Sequence, residues 1–369
     1  MTPTVGIVGG GQLARMLLPA AARLDLAVTL LADPSDAAVA FCRDVVPGVP
    51  DGDGLRRLAE RCDVITVEHE LVDLEVLAEL QAAGTEVRPS PEALAVAVDK
   101  VMQHELLGAA GVPTAPWIEA TTADEIEVFA ADHGWPLVLK RPRGGYDGRG
   151  VFVADDRDAT DAVLAEVAGP VLVEPALPIE RELAVLVARR PGGELVVYDP
   201  AETVQADGMC REVLLPAPID DALAAEAREV AMLVATTVGS VGVLSVELFV
   251  VDGRVLLNEL AARPHNGGHP TIEGAVTSQF ENHLRAVADL PLGSPAVRAP
   301  TAMVNVVGEE RDPREQLAAA LEIDDVTIHL YGKTHRPGRK LGHVTAVGPD
   351  LQRARARAGR AAAILMRGA

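Results

Sequence analysis

Over the first 95 residues the apolar positions alternate between short continuous runs and helical spacing. The runs at 4–8, 28–32 and 64–67 are rich in Val, Ile and Leu, as expected of strands buried on both faces. Between them, 12–24, 55–61 and 74–83 repeat apolar residues at three- and four-residue intervals, which predicts a helix after each strand. Such alternation is the pattern of a doubly wound α/β unit with a parallel sheet. Pro89-Ser90-Pro91 breaks it, and a helix over 92–110 follows, stopped by Gly111-Val112-Pro113. The pattern then changes to a small α+β piece, with strands at 117–118, 137–140, 151–153 and 171–174 around helices at 123–133 and 158–168. Beyond 180 it predicts strands at 183–189 and 194–198, helices at 220–238 and 271–289, and a strand at 302–307. A short C-terminal β segment and a last helix near 351–367 complete it. Three units are expected: 1–95, 96–175 and 176–369.

The chemically informative stretch is 243–259, where two apolar runs flank Asp252-Gly253 and read as a β-hairpin. It carries Glu247 on one arm and Asn258-Glu259 on the other. A two-residue turn would pair 247 with 258 and place the two acids on opposite faces. A three-residue turn over Val251-Asp252-Gly253 pairs 245 with 259 and puts both on one face, one diagonal step and roughly 7–8 Å apart. The second register is the one expected, because two such acids on one face suit a shared hard cation such as Mg²⁺ held together with substrate phosphates. The plainer alternative is an exposed strand face with two solvated acids.

Composition narrows the function. Thirty-three Lys+Arg against 54 Asp+Glu give a net charge of −21, the wrong sign for a nucleic-acid or anionic-membrane surface. Cys42, Cys62 and Cys210 show no metal spacing and are expected as ordinary buried thiols of a reducing cytoplasm. The chain enters its first strand without a basic and then apolar leader, and its most apolar long stretch, 230–251, is interrupted by Thr, Ser and Glu. Neither a secretory leader nor a membrane span is expected.

Two glycine-rich turns compete for a nucleotide. Gly9-Gly10-Gly11-Gln12-Leu13-Ala14 follows a strand, and Asp33 ends the next one, a combination that fits a nicotinamide-dependent dehydrogenase. Such a turn also accepts any phosphate at a helix N-terminus. The second turn is Gly144-Gly145-Tyr146-Asp147-Gly148-Arg149-Gly150, directly after Lys140 closes an apolar strand. Its glycines leave backbone amides free to approach phosphate oxygens. A surface hairpin is the bland alternative. Acids in Glu174-Pro175-Ala176-Leu177 and at Glu182 stand where a connecting strand could meet an adenine and a ribose.

Two lysines, Lys100 and Lys140, a glycine loop, an E-x-x-L and an E…NE pair occur in the order of the ATP-grasp superfamily over about 92–290. The ends of the chain are more specific. Gly9–Met16 resembles the G-G-G-Q-L-x-R-M opening of the N(5)-carboxyaminoimidazole ribonucleotide synthetase family, and Glu68-His69-Glu70 resembles its E-F-E. Arg263-Pro264-His265-Asn266-Gly267-Gly268-His269 and the segment from Tyr331-Gly332-Lys333 to Gly342-His343 are similar to family motifs too.

The resemblance implies an ATP-grasp fold: an N-terminal doubly wound parallel-sheet domain, a small lid subdomain and a C-terminal α+β domain. It implies ATP-dependent carboxylation of 5-aminoimidazole ribonucleotide by bicarbonate, in a cytoplasmic homodimer. Carried over, Lys100, Lys140, Gly145 to Gly150, Glu174, Pro175, Ala176, Leu177, Glu182, Gln205, Asn258 and Glu259 meet ATP, and Glu247 and Glu259 hold Mg²⁺. Gln12, Glu68, Arg149, Lys333 and Arg339 face the ribotide. Arg263, His265, Asn266, Lys333, Tyr146 and Asp147 surround the reacting atoms. Physical chemistry agrees at the C-terminal loop, where Lys333, His335, Arg336, Arg339, Lys340 and His343 fall within eleven residues of an acidic chain and suit a phosphorylated substrate. Two departures stand out: Gln205 replaces a family histidine, and Ala262 replaces a proline. The alternatives are another ATP-grasp ligase, such as the formate-using glycinamide ribonucleotide transformylase, and, from other classes, the dehydrogenase or a non-catalytic nucleotide sensor.

Overall fold

A computed structural model describes residues 2–145, 150–309 and 311–368. The N-terminal sheet contains β1 (Val5–Val8), β2 (Val28–Ala32), β3 (Asp44–Pro47), β4 (Val64–Val67) and β5 (Glu86–Val87). All are parallel, in the order β3-β2-β1-β4-β5. The chain reverses direction across the sheet between β1 and β4, so a crevice opens beyond their carboxyl ends. Gly9–Gln12 and Glu68–Glu70 lie there. Strand β5 has only two residues, and β3 is two valines between Asp44 and Pro47, so neither stood out in the apolar pattern.

The second sheet is antiparallel: β6 (Ile118–Ala120), β7 (Leu137–Lys140), β8 (Val151–Ala154) and β9 (Val171–Pro175), in the order β6-β9-β7-β8. Helices Ala123–His133 and Arg157–Val167 bury Ile126, Phe129 and Val163 against it. The first of these helices starts at a capping box between Thr122 and Glu125.

The third sheet has nine strands: β10 (Arg181–Arg189), β11 (Leu195–Val197), β12 (Ala201–Ala206), β13 (Met209–Leu215), β14 (Gly242–Val251), β15 (Arg254–Ala261), β16 (Thr301–Val307), β17 (Val326–Leu330) and β18 (Lys340–Val347). Their order is β15-β14-β10-β12-β13-β16-β18-β17, with β11 on β10. The "short" C-terminal β segment is therefore a continuation of the main sheet through the β13–β16 pairing. Strands β12 and β13 carry mixed polar and apolar residues and were not expected.

One apolar cluster runs from Val8, Leu31 and Val67 through Leu94 and Leu107 to Leu183, Val246 and Leu257. A second packs Phe280 and Leu284 of the Gln279–Val287 helix on Leu13 and Leu17 of the Gln12–Arg23 helix. The parallel and antiparallel sheets thus share cores, and the crevice between them is held in shape. Two expected helices are interrupted: 92–110 becomes Pro91–Val98 and Lys100–Ala109, and 271–289 becomes Thr271–Gly274 and Gln279–Val287. The three cysteines are free thiols and half-buried rather than buried. No described helix is long and apolar enough to cross a membrane.

Candidate active site

The hairpin turn contains two residues, not three. Asp252 (φ 49°) and Gly253 (φ 68°) both take the left-handed conformation of a type I′ turn, and Val251 pairs with Arg254. Pairing continues to Leu248 opposite Leu257 and then slips, so that Glu247 faces Glu259 directly and Asn258 is the extra residue of a bulge. The acids share a face, as expected, but the bulge achieves it rather than the turn. They stand directly opposed instead of diagonal.

Like charges so placed repel, and the surroundings divide the load. Burial, then the carboxylates of Glu259 and Glu182, push Glu247 well above the usual carboxylate range. Burial opposes charge on Glu259 too, but Lys100, which forms an ion pair with it, and then Lys140 and His265 hold it below the ordinary value. His265 Nε2 lies 3.0 Å from Glu247 Oε1. Burial also lifts Glu182, helped by Glu259 and opposed by a hydrogen bond with the Gln205 side chain.

Asp99 explains the break before Lys100. Its carboxylate accepts from the Val101 and Met102 amides at 3.0 and 3.1 Å, so a new helix starts with Lys100 in its first turn. Arg143, just beyond β7, donates to the same carboxylate at 2.7 Å. Lys140, at the end of β7, reaches Glu174 Oε2 at 2.6 Å and Asn258 Oδ1 at 3.2 Å. The Glu174 side chain is therefore committed to Lys140 and, at 2.9 Å, to His104 rather than to an adenine. Among the expected adenine contacts, Pro175 ends β9, with Ala176 and Leu177 directly after it.

At the crevice, Glu68 is buried and accepts from the Gly11 and Ala14 amides at the start of the Gln12–Arg23 helix. Its carboxylate fills the position a dinucleotide pyrophosphate would need, and a Cβ at Gly9 or Gly11 would collide with it. Asp33 is likewise engaged, accepting from the Ser35 amide and hydroxyl at 2.8 and 2.6 Å. This geometry speaks against the dehydrogenase reading, and Glu68, expected to face the ribotide, braces the amides on either side of Gln12.

Glu70 takes Arg263 Nε at 2.6 Å and so orients the guanidinium. Asn266 exchanges amide hydrogen bonds with Asn305 at 3.0 and 2.7 Å, which fix its orientation one residue after His265. Lys333 donates to Gln12 Oε1, joining the C-terminal basic loop to the first glycine turn. Arg339 donates within its own loop, to the Thr334 carbonyl at 3.2 Å. Gly145 and Gly150 flank the segment expected to meet phosphate, and Tyr146, Asp147, Gly148 and Arg149 lie outside the described residues.

The structure therefore gathers Lys100, Lys140, Glu174, Asn258 and Glu259 in one group, and Glu247, His265 and Arg263 beside it. Gln12 and Lys333 meet at the crevice. Sequence reasoning missed His104 and Asn305. His104 had a signal, four residues after Lys100 on one helix face, whereas Asn305 had none. Among the described residues no group of three or more His, Cys, Asp or Glu forms a closed metal site. The oxygens of Glu247, Glu259 and Asn258 are the donors that suit a hard cation.

Known proteins share this architecture. An ATP-grasp domain model matches residues 105–280, and a ribonucleotide synthetase preATP-grasp domain model matches 1–98. A phosphoribosylaminoimidazole carboxylase C-terminal domain model matches 301–357. The N5-carboxyaminoimidazole ribonucleotide synthase of Mycobacterium bovis is 46% identical over 368 residues, covering 95% of this chain and 85% of that one. The chain belongs to the N5-carboxyaminoimidazole ribonucleotide synthase family. It has the ATP-grasp fold and is an ATP-dependent ligase. The synthase of Synechococcus elongatus is 43% identical over 92% of this chain and 88% of its own. The Aspergillus clavatus synthase crystallised with ADP and 5-aminoimidazole ribonucleotide superposes with a TM-score of 0.91 at 34% identity, covering 99% of this chain and 98% of that one. The Thermus thermophilus enzyme gives 0.88 at 37% identity, with 97% and 98% covered.

Proposed function

We propose that the protein carboxylates 5-aminoimidazole ribonucleotide with bicarbonate at the expense of ATP, giving N5-carboxyaminoimidazole ribonucleotide, ADP and phosphate. The observation that carries this reading is the contact of Lys333 with Gln12. It sets a cationic loop against the first glycine turn, a second anion site beside the acid pair and its two lysines.

Lys100 and Lys140 would neutralise the triphosphate, with Lys140 aimed by Glu174 and Asn258. The opposed acids, short of positive charge at Glu247, fit Mg²⁺, which Glu247, Glu259 and Asn258 would hold; when bound it supplies further charge neutralisation on the phosphates. A bicarbonate oxygen attacks the γ-phosphorus, the bond to the β,γ-bridging oxygen breaks, and ADP leaves. Arg263, braced by Glu70, and His265 would stabilise the resulting carboxyphosphate. The exocyclic amine nitrogen then bonds to the carboxyl carbon, the C–O bond to the phosphate oxygen breaks, and the departing phosphate takes up the amine's proton. Lys333 and Arg339, with Tyr146, Asp147 and Arg149, would hold the ribotide.

The test is ADP release by the purified protein with and without the ribotide and bicarbonate. Turnover dependent on both is expected. Equal stimulation by glycinamide ribotide with formate would move the protein to the transformylase reading.

A further inference from the structure

His104 has no role in the scheme above, yet its side chain is completely buried beside the two phosphate-facing lysines. Its Nδ1 lies 2.7 Å from the Lys100 carbonyl oxygen and its Nε2 lies 2.9 Å from Glu174 Oε1. A carbonyl and a carboxylate are both acceptors, so the ring fits with a proton on each nitrogen. Glu174 is ionised in this setting: burial works against its charge, but His104 and Lys140 hold it below the usual range. Trp117 packs edge-on against the imidazole at 5.2 Å and closes that side to water.

The charge count matters. Lys140 and Glu174 alone would form a neutral buried pair, with the ammonium's attraction spent on its partner. A second donor on the other carboxylate oxygen divides that attraction and leaves net positive charge facing the phosphates. It also locks the Glu174 rotamer that aims Lys140 toward Asn258 and ties the carbonyl of Lys100 to the same network.

We propose that His104 is a positioning residue for ATP, sharing Glu174 with Lys140 so that the Lys140 charge stays directed at the triphosphate. This rests on the reading of Lys100 and Lys140 as ATP-binding residues.

The experiment compares wild type with His104→Leu and His104→Gln, measuring KM for ATP and for the ribotide separately, kcat, and ADP affinity by calorimetry. Circular dichroism checks that each variant is folded. Loss of a charge-assisted hydrogen bond predicts a rise of about 10- to 100-fold in KM for ATP for the leucine variant. The glutamine variant, which keeps one donor toward Glu174, should lie between it and wild type. The ribotide KM and kcat at saturating ATP should stay within about twofold. On a Glu174→Gln background, His104→Leu should cost little more, because the charge to be shared is gone.

Unchanged ADP affinity in a folded variant, or a parallel rise in both KM values, overturns the proposal. If the leucine variant does not fold, the glutamine variant decides it by the same criteria. A wild-type protein without ATP turnover would instead defeat the underlying reading.

Discussion

Glu247→Gln should make the ligand-free protein more stable and the enzyme far less active. The two hairpin acids face each other directly on one sheet face. Where both are ionised, at and above about pH 8, a separation of about 5 Å and an effective dielectric near 20 give a repulsion of about 3 kcal/mol. Lys100 on Glu259 and His265 on Glu247 offset part of this, which leaves a net relief of about 1–2 kcal/mol. For 369 residues, unfolding entropy is on the order of 0.8 kcal/mol/K, so Tm should rise by about 1–3 °C.

The pH dependence has a definite sign. Glu247 is pushed from 4.5 to about 8 in the folded protein, so the unfolded chain gives up its proton first and wild type loses stability as pH rises across that window. The glutamine variant should gain nothing near pH 4 and most near pH 8. Differential scanning calorimetry without nucleotide or Mg²⁺ reads this directly. Turnover should fall about 100-fold or more, because an ion ligand is lost with the charge. A variant less stable than wild type throughout, or one with normal turnover at low Mg²⁺, would refute the reasoning.

Lys333→Ala and Arg339→Ala should weaken apparent ribotide affinity by about 10- to 100-fold while leaving ATP affinity nearly unchanged; separate titrations check this, and a loss confined to ATP contradicts it. Buried His283 accepts from the Val243 amide at Nδ1 (3.1 Å), so its Nε2–H donates to Thr66 Oγ1 (2.9 Å), and burial holds its imidazole down to about 3. Its neutral form is favoured only in the folded state, so stability should fall as pH drops below about 6.5, by about 2 kcal/mol at pH 5. Urea midpoints at pH 7 and pH 5 should show a smaller acid loss in His283→Gln than in wild type. Glu68→Ala should strand the Gly11 and Ala14 amides and cost about 2–4 kcal/mol, with Glu68→Gln milder; a thermal melt indistinguishable from wild type would show that Glu68 does not brace that helix.

Periodicity and turn residues delivered the parallel unit, the strands and helices of the small α+β piece and the glutamate hairpin, because short buried strands and amphipathic helices follow rules local to a few residues. The antiparallel pairing of that piece came from the structure. Strands β12 and β13 escaped, because their residues are half polar and their existence depends on neighbours β10 and β16. The break at Asp99 was legible only in hindsight: a capping acid stops a helix when Arg143, 44 residues away, also needs its carboxylate.

Residue types at Glu247, Glu259, Lys100 and Lys140 stated the chemistry, since paired acids and lysines among apolar strands demand partners of opposite charge. The tertiary structure decided the partners. A bulge at Asn258, and not the turn, brings the two acids face to face. Glu174 went to Lys140 and His104 instead of an adenine, and Glu68 went to a helix N-terminus that its own sequence motif advertised for a pyrophosphate. Sequence specifies which groups are charged and which segments are apolar. Which charge meets which depends on distances across three sheets, and those exist only once the shared apolar cores have closed.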